Sequence, residues 1–383
     1  MQGNWNYPTP IRFGVGRVAE AGQACLELAI KRPLIVTDAD LVPLPPMVRT
    51  QQALEKSGLS FEVFSGVQAN PDEAVVAEGV EAYRRGGCDG VVALGGGSPL
   101  DAGKAIALMV GQSRPLFDFV DEGDNYQRVK AEGVAPVVAI PTTAGTGSEV
   151  GRASVITDSA SKLKLIIFHP RMLPARVIAD PELTAGMPAK LTAATGMDAL
   201  AHNLEAFCAP TFHPMAEGIA LEGIRLVSEA LETAYKNGND LEARSKMLAA
   251  SLMGSTAFQK GLGAIHSLSH PLGGRYGTHH GLLNAVLMPY VLEFNKKALD
   301  GKWQRMQQVL GRDPLEWVLA LRQRLSIPNT LAEIGIPEEA VELAGAATRD
   351  PSASTNPVPL DDAAHRQLLE DALSGFLKAR QLA

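Results

Sequence analysis

Residues 90–101, GVVALGGGSPLD, are the stretch that decides the predicted fold of the first half of the chain. The four residues 91–94 are continuously apolar, which is typical of a parallel strand buried on both faces. Three consecutive glycines then allow a tight turn and a close approach of the backbone to a ligand. Ser98 suits an N-cap, Pro99 suits the first helical position and Asp101 stands where a capping box has its acid, so a helix is predicted to begin here.

Strand-like and helical patterns alternate on both sides of this stretch. The strands are predicted at 33–38, 60–65, 90–97 and 135–143, and the helices at 46–57, 72–86 and 98–110. Single helices between strands imply a parallel, doubly wound sheet. Such sheets bind cofactors at the carboxyl ends of their strands, where helix N-termini attract phosphate groups.

Two domains are expected, because 383 residues exceed what one hydrophobic core commonly supports. After Asp180 and Pro181 the chain is rich in Ala, Leu, Met and Glu at helical spacing and has few β-branched clusters. The predicted fold class is therefore α/β, with an N-terminal doubly wound parallel-sheet dinucleotide-binding domain over residues 1–184. A C-terminal all-helical metal-binding domain is predicted over residues 185–383.

The composition argues against several classes of partner. The formal net charge is -7 and no run of Lys or Arg forms a basic stripe, so we expect no nucleic acid partner. No apolar run is long enough to span a membrane and the N-terminal sequence does not resemble a signal peptide, so we expect a cytoplasmic protein with no membrane partner. The three cysteines are far apart, which suggests neither a disulfide framework nor a zinc ribbon.

A second glycine-rich loop follows the next predicted strand, in residues 141–149, PTTAGTGSE. Its hydroxyl groups can hydrogen-bond phosphate or ribose, although neither loop has the Walker or the GxGxxG pattern. Two glycine loops on neighbouring strands favour a dinucleotide site over two ordinary turns. Asp38 ends the first predicted strand, where its carboxylate either accepts hydrogen bonds from an adenosine ribose or caps a turn.

Four of the eight histidines lie between residues 266 and 280. His266 and His270 are four residues apart, which places them on one face of a predicted helix. The helix is predicted to end at Pro271 and the glycines that follow it, ahead of His279 and His280. So many histidines in one segment indicate a shared function.

A second candidate segment is the predicted helix that carries Asp198, His202 and Glu205 on one stripe beside an apolar face. Charged groups so close to a core are costly unless they are paired or coordinated. Hydrogen-bonded core histidines are the alternative to metal ligands, but an Asp/His pair together with a histidine cluster favours a metal. Imidazole and carboxylate ligands suit Zn(II) or Fe(II), and spacing alone does not choose between them.

Taken together, these segments resemble the iron-containing (group III) alcohol dehydrogenases over nearly the whole chain. The resemblance is carried by VTDADL (36–41), GGGSPLDAGKAIA (95–107), PTTAGTGSEV (141–150), AATGMDALAHNLEAF (193–207), GLGAIHSLSHPLGG (261–274) and THHG (278–281) ahead of Asn284. In combination these motifs are highly specific. They imply an NAD-dependent alcohol dehydrogenase with Fe(II) as its metal and Zn(II) as the alternative, and we expect a homodimer or higher homo-oligomer.

The resemblance also implies roles for single residues. The metal ligands fall on Asp198, His202, His266 and His280. The cofactor contacts fall on Asp38, Gly96, Gly97, Ser98, Thr142, Thr146 and Lys164. A histidine next to the metal matches His270, the candidate catalytic residue for relaying a proton, and a pocket wall matches Phe258. His279 stands where the family often has proline, and it is given no role.

Within the family, the motifs look closest to the 4-hydroxybutyrate dehydrogenases, although STNPVP (354–359) fits their pattern only partly. The expected substrate is therefore a primary alcohol such as an omega-hydroxy acid. Arg152 follows the second glycine loop and is a candidate to bind the substrate carboxylate through two parallel hydrogen bonds, the alternative being an ordinary ion pair with Glu149 or Asp158.

Other functions are also open at this point. One is a dehydrogenase of neutral short-chain alcohols or diols, and another is a related NAD- and metal-dependent lyase of the dehydroquinate synthase type. The lyase should need several basic residues around its substrate, and the helical half has no such concentration. A solute-binding protein would be exported, and a metallohydrolase would not explain the two glycine loops.

Overall fold

The structure is a computed structural model that describes residues 9–378. The chain divides into two compact units, of which the first ends at Ala185 and the second begins at Gly186. Residues 1–8 of the predicted N-terminal domain and residues 379–383 of the predicted C-terminal domain lie outside the described residues. Among the described residues, no helix combines the length and the apolar composition that crossing a membrane requires.

The first unit is built on a parallel sheet with interspersed helices. Its strands are β1 (Ile11–Phe13), β2 (Pro33–Asp38), β3 (Glu62–Val67), β4 (Gly90–Gly95), β5 (Val137–Pro141), β6 (Ala153–Thr157), β7 (Lys164–Phe168) and β8 (Arg176–Ala179). Its helices are α1 (Ala21–Glu27), α2 (Pro45–Lys56), α3 (Glu73–Arg85) and α4 (Gly97–Met109). The predicted doubly wound α/β fold is confirmed, with strand and helix bounds that differ from the predicted ones by a few residues at most.

Six strands form the main sheet in the order β1-β8-β5-β4-β2-β3, and every neighbouring pair is parallel. The central strands β4 and β5 are buried along their whole length, as their apolar sequences require. Strands β6 and β7 form a separate antiparallel pair, which the sequence analysis did not predict. The three-residue strand β1 and the six-residue strand β3 lie at the two edges.

Within residues 186–378 the second unit contains helices joined by loops and no strand, as predicted. Its helices are α5 (Ala189–Cys208), α6 (Pro214–Lys236), α7 (Leu241–Ala257), α8 (Ala264–Tyr276), α9 (His280–Asn295), α10 (Asp300–Leu310), α11 (Pro314–Arg324), α12 (Ala344–Arg349) and α13 (Asp362–Ser374). Helix α5 is buried on all sides from Thr192 to Cys208, so it is the central helix of this unit. Its carboxylates therefore need partners inside the protein.

Two local predictions about helix ends were wrong. The N-cap of helix α4 is Gly96 rather than the predicted Ser98, and no side chain caps the helix, since the carboxylate of Asp101 binds a different segment. Helix α8 does not end at Pro271 but continues to Tyr276, where Gly277 adopts a left-handed conformation with φ 68°. Helix α8 is largely buried, and its packing outweighs the backbone hydrogen bond that an internal proline removes.

Candidate active site

Four proposed metal ligands meet inside the helical unit. Helix α5 supplies Asp198 and His202 one turn apart, α8 supplies His266, and α9 begins with His280. Asp198, His202 and His266 are buried, and one ligand atom of each lies within 4.8 Å of the others. The fourth residue adjoins them, since His280 Nε2 lies 3.6 Å from Asp198 Oδ1. Thus residues 82 positions apart in the sequence form one cluster.

The charge of this cluster fits a divalent cation. Asp198 and Glu205 are both buried, and their only charged partners within 4.0 Å among residues 9–378 are histidines. No Lys or Arg of the described chain pairs with either carboxylate. Two buried negative charges beside three imidazoles are costly unless a cation balances them. Carboxylate and imidazole are also ligands that Fe(II) and Zn(II) accept.

Glu205 fixes the orientation and the tautomer of His266. The Nδ1 atom of His266 lies 2.6 Å from Glu205 Oε2, so it carries the proton that this carboxylate accepts, and Nε2 is left with its lone pair. Burial alone lowers the pKa of His266, but the hydrogen bond to Glu205 and the charges of Glu205 and Asp198 outweigh burial and raise it. A metal at Nε2 must therefore compete with a proton.

The N-terminus of α8 is capped by side chains from elsewhere in the chain. Its own N-cap residue, Gly263, offers no side chain. Glu205 Oε1 accepts a hydrogen bond from the Ile265 amide at 2.6 Å, and Asn356 Oδ1 accepts one from the Ala264 amide at 3.1 Å. One carboxylate thus holds both the start of the helix and the ring of His266.

His270 lies beside the cluster and forms a dyad with Asp350. Its ring stacks on that of His280 at a centroid distance of 5.4 Å, and its Nδ1 is 2.8 Å from Asp350 Oδ2. Burial alone raises the pKa of Asp350, but the charge of His270 and hydrogen bonds from His270 and Ser352 lower it. On the other side of the cluster, the Phe258 ring packs against His202 at 5.4 Å.

The two glycine loops touch each other at the carboxyl ends of β4 and β5. Strands β4 and β5 pair up to their ends, and the Thr142 amide donates to the Gly95 carbonyl at 2.9 Å. A Cβ atom at Gly97 would lie 2.7 Å from Thr146 Oγ1, which is closer than such atoms approach. Glycine is therefore required at 97 for the second loop to pack against the start of α4.

Buried polar groups tie α4 to the segment after the second loop. Asp101 Oδ1 accepts a short hydrogen bond from Ser148 Oγ, and Oδ2 accepts one from the Val155 amide at 3.1 Å. Lys104 is fully buried and donates from Nζ to the Ser148 carbonyl at 2.9 Å. These bonds explain why Asp101 does not cap its own helix.

The remaining proposed cofactor and substrate residues lie at the end of β2 and on or next to the antiparallel β6–β7 pair. Asp38 ends β2, which neighbours β4, and its Oδ1 accepts a hydrogen bond from the Leu41 amide at 2.8 Å, so it does cap a turn. Lys164 begins β7. Arg152 precedes β6, and its guanidinium carbon lies 5.5 Å from the centre of the Phe168 ring.

Comparison with known proteins identifies the family. The profile described as iron-containing alcohol dehydrogenase matches residues 8–181, and that of the C-terminal part of the family matches residues 192–373. The chain belongs to the iron-containing alcohol dehydrogenase family. It is accordingly an NAD-dependent alcohol dehydrogenase.

Individual relatives agree with this assignment over their full length. The 4-hydroxybutyrate dehydrogenase of Cupriavidus necator is 42% identical, with 96% of this chain and 99% of that protein aligned. The crystal structure of a 1,3-propanediol oxidoreductase superposes with a TM-score of 0.92 at 32% identity, covering 97% of this chain and 100% of the other. That of sulfoacetaldehyde reductase from Bifidobacterium kashiwanohense in complex with NAD+ gives a TM-score of 0.89 at 30% identity, covering 98% and 99%.

Several residues around the site of this dehydrogenase were missed by sequence analysis. Asp350, Asn356 and Asn284 bind residues that are 80, 92 and 86 positions away, respectively. Nothing in the local pattern marks such pairs, because each partner choice depends on which helices pack together. A signal was present for Glu205, which shares the helix stripe of Asp198 and His202, but not for its role in holding His266.

A buried acid in the parallel-sheet unit provides a pH-dependent test of its packing. Glu149 is buried beside Lys104, and burial raises its pKa to about 7, against opposing effects of a backbone hydrogen bond and the Lys104 charge. Because this value lies above the 4.5 of the unfolded chain, Glu149 costs no stability at low pH, and the cost grows as the pH rises from about 4.5 to about 7 and is constant above that.

The Glu149→Gln variant is therefore expected to match the parent near pH 4 and to be more stable by about 3 kcal/mol at pH 8. Urea unfolding at both pH values measures this, with Glu132→Gln, an exposed site in the same unit, as the control. An equal change at both pH values would show that the carboxylate is not the group that titrates.

Proposed function

We propose that this dehydrogenase interconverts a primary alcohol and its aldehyde at a metal held by Asp198, His202, His266 and His280, with NAD as the hydride acceptor. The observation that carries the proposal is the buried cluster in which two carboxylates and three imidazoles converge without a Lys or Arg of the described chain. The family name supports Fe(II) as the metal, with Zn(II) as the alternative.

A divalent cation at this cluster supplies Lewis-acid chemistry, which makes an alcohol oxygen more acidic in one direction and polarises an aldehyde carbonyl in the other. The protein keeps the ligand atoms available for it. Glu205 holds the proton of His266 on Nδ1, so that Nε2 stays basic. Asp198 contributes the negative charge of the ligand set.

His270 is the proposed proton relay. Asp350 accepts from His270 Nδ1, so Nε2 is the atom that takes the proton released by the substrate hydroxyl and returns it to the aldehyde in the reverse reaction. The low pKa of Asp350 keeps that residue ionised, which stabilises the protonated imidazole. Phe258, against the His202 ring, is proposed as a wall of the substrate pocket.

The proposed NAD site uses the carboxyl ends of adjacent strands. Gly96, Gly97 and Ser98 lie at the N-terminus of α4, whose backbone amides and dipole favour a pyrophosphate. The second loop adds the hydroxyl groups of Thr142 and Thr146. Asp38 at the end of β2 and Lys164 at the start of β7 complete the proposed set. The contact between Gly97 and Thr146 supports a single site built from both loops.

We propose an omega-hydroxy acid of the 4-hydroxybutyrate type as substrate, with Arg152 as the residue that binds its carboxylate. Arg152 forms no ion pair within 4.0 Å among the described residues, whereas Glu149 is buried and Asp158 binds Ser161 and the Ala160 amide. The 4-hydroxybutyrate dehydrogenase relative supports this substrate class. The alternative is a neutral short-chain alcohol or diol, which the 1,3-propanediol oxidoreductase favours.

A panel of aldehydes tests the proposed function. Purified, metal-loaded protein is expected to oxidise NADH with succinic semialdehyde much faster than with neutral aldehydes of the same length. Metal removal by a chelator should abolish both rates, and metal analysis identifies the bound ion. No NADH oxidation with any aldehyde would contradict the function, and a preference for neutral aldehydes would contradict the substrate class.

The Asp38 carboxylate is expected to set the preference for NAD over NADP. A 2′-phosphate beside its carboxylate would meet like charge, so NAD should be strongly preferred. Asp38→Gly should relax the preference, and Asp38→Asn should do so while keeping an acceptor for the Leu41 amide. The kcat/KM ratio for the two cofactors is the measurement, with the exposed Asp40→Asn as the control. Equal efficiencies in the unchanged protein would rule this role out.

Two further proposals concern the oligomeric state and the location in the cell. A homodimer or higher homo-oligomer is proposed, and light scattering after gel filtration measures the mass directly. A cytoplasmic location is proposed from the sequence, and cell fractionation tests it.

A further inference from the structure

Asn284 lies one turn after His280 on α9, and its side chain is completely buried against the proposed ligands. Its Nδ2 atom donates to Asp198 Oδ1 at 2.8 Å and lies 3.1 Å from His280 Nε2 and 3.4 Å from His266 Nε2. We propose that Asn284 is a positioning residue of the metal centre, which fixes the carboxylate of Asp198 through this hydrogen bond. The inference rests on the proposed ligand set.

The chemistry of the neighbours determines which side of the amide faces them. An ionised Asp198 can only accept hydrogen bonds, and His266 Nε2 also accepts, because Glu205 holds the proton of that ring on Nδ1. The amide nitrogen carries two N–H groups, so it can serve Asp198 Oδ1 and one imidazole at a time. Only the bond to Asp198 can persist beside a metal, because a carboxylate oxygen has a second lone pair and an imidazole Nε2 has only one. Within residues 9–378, every hydrogen bond of the Asn284 side chain goes to one of the proposed ligands.

The packing of α9 against α5 brings the amide within reach. A Cβ atom at Gly281 would lie 2.3 Å from the Ala194 carbonyl oxygen and 3.2 Å from Asp198 Cβ. The two helices therefore approach this closely only because residue 281 is glycine. Asn284 is one turn further along α9 than residue 280, on the side that faces the cluster.

Removing the amide takes away the hydrogen bond that fixes the rotation of the Asp198 carboxylate, so that this ligand is no longer held in place for the metal. Loss of a residue that orients metal ligands commonly weakens metal binding roughly 10- to 100-fold. We expect a loss in this range for Asn284→Leu, which has a similar size and no hydrogen-bonding groups, and for Asn284→Ala as a second variant.

The test uses full-length protein freed of metal with a chelator. Zn(II) is titrated against a competing chelating indicator to give the affinity, and Tm is measured with and without Zn(II). In the Asn284 variants the affinity should fall and the rise in Tm on adding Zn(II) should shrink. Tyr290→Phe is the matched control, because this buried side chain of the same helix donates to the Asn329 carbonyl instead. It should lower both Tm values equally and leave the affinity unchanged.

Two failures can be told apart. If both Asn284 variants keep the parental Zn(II) affinity while both Tm values fall equally, Asn284 only fills space and the inference is overturned. If Asp198→Ala in the same titration binds Zn(II) as tightly as the parent, the ligand set itself is wrong. A weakened Asn284 variant together with an Asp198→Ala that no longer binds supports both.

Discussion

Asp198→Ala is expected to purify with far less than one equivalent of metal per chain and to lose at least about a thousandfold in kcat/KM. Removing one of four ligands takes away both charge and geometry, and Lewis-acid stabilisation of this kind is worth several kcal/mol. His266→Ala should behave in the same way, because it removes a ligand and leaves Glu205 buried without its partner. Metal analysis of the purified variants together with steady-state kinetics measures the effect.

A control separates metal loss from general damage to the helical unit. His213 is another buried histidine, and its Nδ1 accepts a hydrogen bond from the Ala216 amide at the start of α6. His213→Ala should therefore lower stability but keep the metal and most of the activity. Stoichiometric metal and undiminished turnover in Asp198→Ala or His266→Ala would show that the ligand assignment is wrong.

Arg152→Leu is expected to weaken reduction of succinic semialdehyde by about 2 kcal/mol in transition-state binding, or roughly 30-fold in kcat/KM. The planar guanidinium can hold a carboxylate through two parallel hydrogen bonds, and leucine offers none. In the structure, the Arg152 guanidinium packs against the Phe168 ring. No acidic group of residues 9–378 lies within 4.0 Å of it. Butyraldehyde, which has the same length and no carboxylate, should be reduced almost as well as before.

Arg152→Lys provides the matched variant, because it keeps the charge but loses the paired geometry. It should recover part of the lost rate with succinic semialdehyde and leave the rate with butyraldehyde unchanged. An equal loss with both aldehydes in Arg152→Leu would assign Arg152 a structural role beside Phe168 and would favour the neutral alcohol as substrate.

The prediction from sequence succeeded wherever the information lies in a short stretch of chain. The continuously apolar strands 91–94 and 137–140 predict a parallel sheet, because residues buried on both faces leave no polar alternation. Asp198 and His202 are four residues apart, so helix geometry alone places them on one face. His266 and His270 follow the same rule on α8.

The local rules failed where a distant segment competed for the same group. Ser98 and Asp101 have the spacing of a capping box, but Asp101 binds Ser148 Oγ and the Val155 amide instead. Pro271 has the character of a helix end, but the buried helix α8 continues past it. In both cases tertiary contacts contribute more than one local hydrogen bond.

Local patterns in the sequence were enough to predict the fold class, the family and the residues proposed to bind metal and cofactor, because periodicity and motif spacing are properties of short stretches of chain. How those residues are held depends on the packing of distant segments and could not be predicted in this way. Glu205 on His266, Asp350 on His270 and Asn284 on Asp198 are pairs separated by 61 to 86 positions. Their partners are fixed by how α5, α8, α9 and the segment after α12 pack together, and helix packing sets that through the combined shape of many side chains.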